Sequence, residues 1–226
     1  MTTSGAAHHL SVIAAPASSL LAWIVARDGW VAPTQGSAGS ADLVRRAASG
    51  DQDAFERLVR PAGERLLGIA RKILRDPDAA EDAVQQAVIQ AWRELPRLRE
   101  AERFDAWFTK LLVSACYQEA RRSRRHAARV NRVASATVGS GTEPATEDGA
   151  DALADRQLIE QAFLTLTPAQ RAIVVLHHYA DLPLADVAAI VGVPPGTARS
   201  RLHYALRALR AALEAADRPT IEEFER

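Results

Sequence analysis

Apolar residues recur along most of this chain at intervals of three and four, the spacing of a helix with one buried face. Asp51 stands where an N-cap would, ahead of Ala54, Phe55, Leu58 and Val59. Pro61 interrupts or restarts that helix, and Leu66, Leu67, Ala70, Ile73 and Leu74 continue its apolar face. Asp76-Pro77-Asp78 reads as a turn, with Asp78 as the next N-cap and Glu81 completing a capping box. Val84, Val88, Ala91 and Leu95 then form a stripe with Trp92 beside it, and Pro96 ends the helix. After a polar loop, Arg97–Arg103, a helix carrying Phe104, Trp107, Phe108, Leu111, Leu112 and Ala115 runs into a cluster of arginines.

A second periodic stretch begins at Leu158–Leu164. Thr167-Pro168-Ala169-Gln170 is a helix start, with a Thr cap, Pro in the first turn and Gln closing the box. Ile173, Val174, Leu176 and Tyr179 supply the core face. Two short helices follow, Leu184–Val191 and one from Pro195 onward, around a turn containing Gly192; this matches a helix-turn-helix. On the last helix Ala198, Leu202, Ala205, Leu206 and Leu209 project to one side. Thr197, Ser200, His203, Tyr204 and Arg207 project to the other, flanked by Arg199 and Arg201. No stretch alternates long enough for a sheet, so the expected fold is all-α. It comprises two small helical domains, 41–126 and 156–216, joined by a flexible acidic linker over 127–155. Residues 1–40 read as a poorly ordered extension, with a short helix around Leu20–Val25, and 217–226 as a tail.

Composition sharpens this picture. The 226 residues carry 28 bases, 26 of them Arg, against 28 acids, and the 46 alanines favour helix. A net charge of zero argues at first against a nucleic-acid ligand, but the sum is a cancellation. Arg121, Arg122, Arg124, Arg125, Arg129 and Arg132 give +6 over twelve residues without an acid. Glu143 to Glu160 holds six acids against Arg156 alone, and Thr197 to Arg210 is basic again with four arginines. A helix end needs one or two bases to complement its dipole, not six, so the first cluster points to phosphate contact. The second offers hydroxyls, an imidazole and guanidinium groups to base edges and phosphates.

Other chemistries find no support. The single cysteine, Cys116, excludes an internal disulfide and a multi-cysteine zinc site, and reads as a buried apolar residue. His177-His178 has no further ligand at metal spacing and reads as a helix-surface or core-edge pair. The uncharged stretch Leu10–Ala26 is broken by Pro16 and too short to span a bilayer, so a cytoplasmic protein without membrane insertion is expected. There is no glycine-rich phosphate loop and no nucleophile–base pair; no catalytic residue, cofactor or metal is expected.

The run Asp76-Pro77-Asp78-Ala79-Ala80-Glu81-Asp82-Ala83-Val84-Gln85-Gln86, with Ala91-Trp92-Arg93 and Phe104-Asp105-Ala106-Trp107-Phe108, resembles region 2 of extracytoplasmic-function sigma factors, a branch of the sigma-70 family. Leu166-Thr167-Pro168-Ala169-Gln170-Arg171 and Gly192-Val193-Pro194-Pro195-Gly196-Thr197-Ala198-Arg199-Ser200-Arg201-Leu202 resemble its region 4. The likeness covers roughly 41–213; it departs at Gln86, commonly an acid, and at Val88, commonly aromatic. It implies that Asp82, Gln85, Gln86 and Trp92 dock on core RNA polymerase. It implies that Arg97, Arg99, Arg103, Phe104, Trp107, Arg121, Arg122, Arg124 and Arg125 hold the single-stranded −10 element of promoter DNA. Thr197, Arg199, Ser200, Arg201, His203, Tyr204 and Arg207 would read the −35 element as duplex, and the acidic linker would thread the polymerase's RNA path. The function implied is promoter-directed initiation, with an anti-sigma factor as a possible further partner. The competing reading is a helix-turn-helix regulator that binds DNA without polymerase.

Overall fold

The computed structural model describes residues 38–133 and 158–216, and every regular element among them is helical. The expectations for residues 1–37, for most of the linker and for the tail lie outside the described residues. A helix absent from the sequence reading opens the fold: α1, Ala38–Ala48, buries Val44 and Ala47. Asp51 then works at both ends of a corner. Its Oδ1 accepts the Ala54 N–H at 3.0 Å and its Oδ2 accepts from Arg46 at 2.7 Å, tying α1 to the cap of α2. Those bonds lower the Asp51 pKa, the backbone N–H of Ala54 contributing most.

α2, Gln52–Leu74, is continuous through Pro61, which corrects the expected break. Pro61 is exposed, so water can serve the carbonyl its ring leaves without a donor. α3, Pro77–Glu94, is capped by Asp76, not Asp78: the Asp76 carboxylate accepts the Ala79 N–H at 3.1 Å and Pro77 takes the first helical position. Its buried stripe is also shifted from the expected one. Ala80, Ala83, Ala87 and Ala91 are fully buried, whereas Val84 and Val88 are half-buried. Methyl side chains let α3 approach α2 and α4 closely, and the valines cover the flanks of that contact.

Two 3-10 turns, Leu95–Arg97 and Ala101–Arg103, lead into α4, Phe104–Val133. This helix continues seven residues past the expected boundary at 126. Phe108, Leu112 and Cys116 fill the centre of the bundle, and Arg65 of α2 reaches Asp105 at 3.1 Å. Burial pushes the Cys116 thiol up to about 12, so it behaves as the apolar residue expected.

In the second unit residues 158–164 form α5, which buries Ile159, Ala162 and Phe163. The Thr167–Gln170 capping box is present in both directions and starts α6, Pro168–Val174. The chain then widens into a π turn, Val175–Tyr179, where His177 Nδ1 lies 2.8 Å from the Leu182 carbonyl oxygen. α7, Leu184–Val191, and α8, Pro195–Ala216, start where the pattern placed them. Gly192 turns between them at φ 72°, a left-handed conformation glycine adopts without strain. Ala198, Ala205 and Leu209 bury one side of α8 against α6 and α7. The two units share one hydrophobic core: α6 and the π turn pack on α2, and α7 packs on α4.

Candidate nucleic-acid interface

Burial of Ala198, Ala205 and Leu209 leaves the opposite side of α8 in solvent. Arg199, Ser200, His203, Tyr204 and Arg207 are all exposed, Tyr204 at 60%, and the His203 and Tyr204 rings stand edge to face at 5.8 Å. Thr197 and Arg201 are half-buried at the margin. Ser200 Oγ donates to the Gly196 carbonyl at 3.0 Å, which leaves its oxygen to accept. The face therefore offers guanidinium and imidazole donors with no acid among them. It is the second helix of a helix-turn-helix, the element such motifs place in a major groove.

At the far end of the first unit, α4 leaves the bundle with Arg121, Arg122, Arg124 and Arg125 exposed. Arg124 and Arg125 donate through Nε to the Ala120 and Arg121 carbonyls, at 3.1 and 3.3 Å, which holds their side chains along the helix. An open groove of about 540 Å³ lies beside them, lined by Gln86, Gln118, Glu119, Arg121, Arg122, Arg125 and His126. Glu119 is 5% exposed, accepts from Gln86 Nε2 at 3.0 Å and lies 3.5 Å from Arg122. Gln118, Glu119 and His126 were missed in the sequence, although Gln118 precedes Arg121 and Arg122 by three and four residues and so shares their side of the helix.

The remaining predicted residues divide. Arg97, Arg99 and Arg103 are exposed on the loop before α4, where Arg103 pairs with Glu100 at 2.9 Å. Trp107 is half-buried beside Phe104, with ring centroids 5.9 Å apart. Phe104 is buried, at 4% exposure and with its ring centroid 5.5 Å from that of Phe108. On α3, Asp82 and Gln85 are exposed, and Ile89 continues their side of the helix at 45% exposure. Trp92 is half-buried, edge-on to Phe55 at 5.0 Å, so its ring joins α3 to α2. Gln86 turns to Glu119 rather than outward. No group of side chains suited to a metal ion occurs among the described residues, and no helix among them is long and apolar enough to cross a membrane.

Comparison with known proteins places these surfaces in a family. The profile for Sigma-70 region 2 matches residues 58–142, and that for Sigma-70, region 4 matches 156–209. The ECF RNA polymerase sigma factor SigL of Mycobacterium tuberculosis is 34% identical over 147 residues, 64% of this chain and 80% of that protein. The RNA polymerase sigma-E factor of Streptomyces avermitilis is 29% identical over 170 residues, 75% of this chain and 90% of that protein. Among solved structures, the sigma factor RpoE in complex with the anti-sigma factor NepR from Bartonella quintana superimposes with a TM-score of 0.57 at 25% identity, covering 73% of this chain and 98% of that one. CnrH in complex with the cytosolic domain of CnrY has a TM-score of 0.54 at 24% identity, covering 80% and 99%, and supports the fold. Both profiles, in the order of the two helical units, decide between the two sequence readings: the chain belongs to the extracytoplasmic-function branch of the sigma-70 family and is an RNA polymerase sigma factor that initiates transcription, not an enzyme.

Proposed function

We propose that this sigma factor divides its work between two DNA surfaces and one protein surface. The observation that carries the reading is the pair of exposed, arginine-rich surfaces on separate units, one on α8 and one at the end of α4. Arg199, Arg207 and their neighbours Thr197, Ser200, Arg201, His203 and Tyr204 read the −35 duplex from the major groove. The α4 groove, with Arg121, Arg122, Arg124 and Arg125, tracks the backbone of the melted −10 strand. Trp107 and the loop arginines Arg97, Arg99 and Arg103, at the start of α4 and about 20 Å from Arg121 along the helix, meet another stretch of the same strand, and an aromatic ring among basic side chains suits unstacked bases. Asp82 and Gln85, with Ile89 completing an exposed strip of α3, meet core RNA polymerase. Gln86 and Trp92 support that strip from behind through Glu119 and Phe55.

The protein works in the cytoplasm, where core polymerase and promoter DNA are its partners. An anti-sigma factor that covers these surfaces would silence it. Run-off transcription with purified core polymerase tests the assignment. Charge reversal of Arg199 and Arg207 to Glu is expected to abolish −35-dependent transcripts while core binding is retained; simultaneous loss of core binding would refute the separation of surfaces.

A further inference from the structure

Arg65 of α2 holds most of its side chain inside the first unit. Only 14% of that side chain is exposed, and its Nε is buried without a hydrogen-bond partner among the described residues. Its Nη2 donates to Asp105 Oδ1 at 3.1 Å, across 40 residues of chain. Taking a guanidinium out of water and leaving one of its donors unmet costs stability. An apolar side chain of similar volume in such a place is often neutral or stabilising. Packing therefore does not account for this arginine; the group it reaches does.

Asp105 is the second residue of α4. The first N–H groups of a helix have no partner within it, so a helix start is the part most easily frayed. Here the first turn is tied twice through one residue. The Asp105 carboxylate takes the bond from α2, and its carbonyl oxygen accepts from Thr109 Oγ1 at 2.7 Å, with Thr109 buried. Two positions on, Trp107 lies about 200° round the helix from Asp105. The two thus flank the buried stripe of Phe104, Phe108 and Leu112 on opposite sides. A bond on one flank stops the first turn from rolling, and so fixes where the ring on the other flank points. The loop carrying Arg97, Arg99 and Arg103 joins α4 at this same turn, and α1 packs on both of its 3-10 turns.

We infer that Arg65 is a positioning residue for promoter opening: through Asp105 it holds the start of α4, with Trp107 and the loop arginines, in the arrangement that takes the unpaired −10 strand. This role rests on the assignment of Trp107 and the loop to that strand made above. Bases must be caught as they unstack, and a ring already held in place loses little ordering entropy at that moment. Arg65 itself does not touch DNA. It acts on opening and not on recognition of the −35 duplex, which belongs to α8.

The test uses holoenzyme assembled from core polymerase and the full chain, on the promoter that the wild type transcribes in run-off assays. Opening is followed as the rate at which thymines around −10 become reactive to permanganate. Arg65→Met keeps the length of the side chain and removes the bond. It is expected to open the promoter about tenfold more slowly, the effect of one charge-assisted hydrogen bond. Its affinity for core polymerase, its affinity for a −35 duplex fragment and its urea midpoint stay at wild-type values or above, which a merely structural role would not allow. Asp105→Ala removes the same bond from the other partner, so the double variant opens no more slowly than either single. Should Arg65→Met fail to fold, Asp105→Ala carries the test: slow opening there is expected to be restored in Asp105→Glu, which keeps the carboxylate. The role of Arg65 is overturned by wild-type opening in a folded Arg65→Met, by a lowered urea midpoint or core affinity in that variant, by defects that add in the double variant, by wild-type opening in Asp105→Ala, or by an Asp105→Glu as slow as Asp105→Ala. Trp107→Ala in the same assay separates the two levels. Slow opening there, beside wild-type opening in Arg65→Met, removes Arg65 alone; wild-type opening in Trp107→Ala removes the −10 assignment and the role of Arg65 with it.

Discussion

Asp76 and Asp78 are chemically the same residue two positions apart, and only one of them caps α3. Sequence rules favour Asp78 because Glu81 follows at the capping-box distance. Proline decides otherwise. Pro77, with φ already helical and no N–H to satisfy, starts the helix one residue after Asp76, whose carboxylate then reaches the Ala79 N–H. Asp76→Ala should therefore cost about 1 kcal/mol, and Asp78→Ala about half of that or less, a difference that urea melts resolve. His178 offers a second test at this scale. Burial, then the neighbouring His177, lowers its pKa to about 4, and its Nε2 is buried without a partner among the described residues. A folded-state value below the unfolded one, near 6.5, means that protons bind the unfolded chain more readily. Stability from this group is complete above about pH 6.5 and is lost as pH falls toward 4. Urea midpoints between pH 7 and 4.5 should fall less steeply in His178→Leu than in the wild type.

Elements were legible where local signals agreed with one another. α7 and α8 begin at the residues their spacing indicated, because Gly192 and Pro195 punctuate the chain and the apolar period is unbroken on either side. The expected break at Pro61 did not materialise, since a proline on the exposed side of a 23-residue helix can be outvoted by the packing of the opposite side. α1 went unseen although Leu43, Val44, Ala47 and Ala48 have helical spacing; eleven residues give few repeats to read. α4 is the element on which the first unit depends, and Phe108 is its fully buried centre. Phe108→Ala should destabilise the protein by about 3–5 kcal/mol, measured by denaturant titration, with loss of core binding at physiological temperature as its functional sign. The candidate site divided along similar lines. Exposed arginines at 121–125 and the α8 face were readable from charge and period. Phe104 and Trp92 were not, because an aromatic residue at the edge of a helical stripe can face a ligand or a neighbouring helix, and only the neighbour's position decides.

For the whole molecule, a net charge of zero hides a protein whose affinity for DNA should depend strongly on salt. Counterion release is a local property of the phosphates contacted, so the balance of the entire chain does not enter it. Promoter affinity of the holoenzyme should fall linearly with the logarithm of salt concentration. Each Arg→Ala change at 121, 122, 124 or 125 should flatten that slope by about 0.7, the single-strand value, and each change at 199 or 207 by about 0.9, the duplex value. Filter-binding titrations over a range of salt would separate the two classes of arginine without a further structure. What the sequence determined by itself was encoded within a few helical turns at a time: the all-helical class, the helix-turn-helix, the clustered arginines and the family motifs. Such features depend on spacing along the chain, and spacing is what a sequence records. The tertiary structure decided which side chains lie within reach of residues far away in the chain: that Gln86 turns to Glu119, that Phe104 belongs to the core, and that Tyr179 closes over Gly68, more than a hundred residues earlier. Those contacts depend on how helices cross, which is set by the packing of the whole core and by no local run of residues.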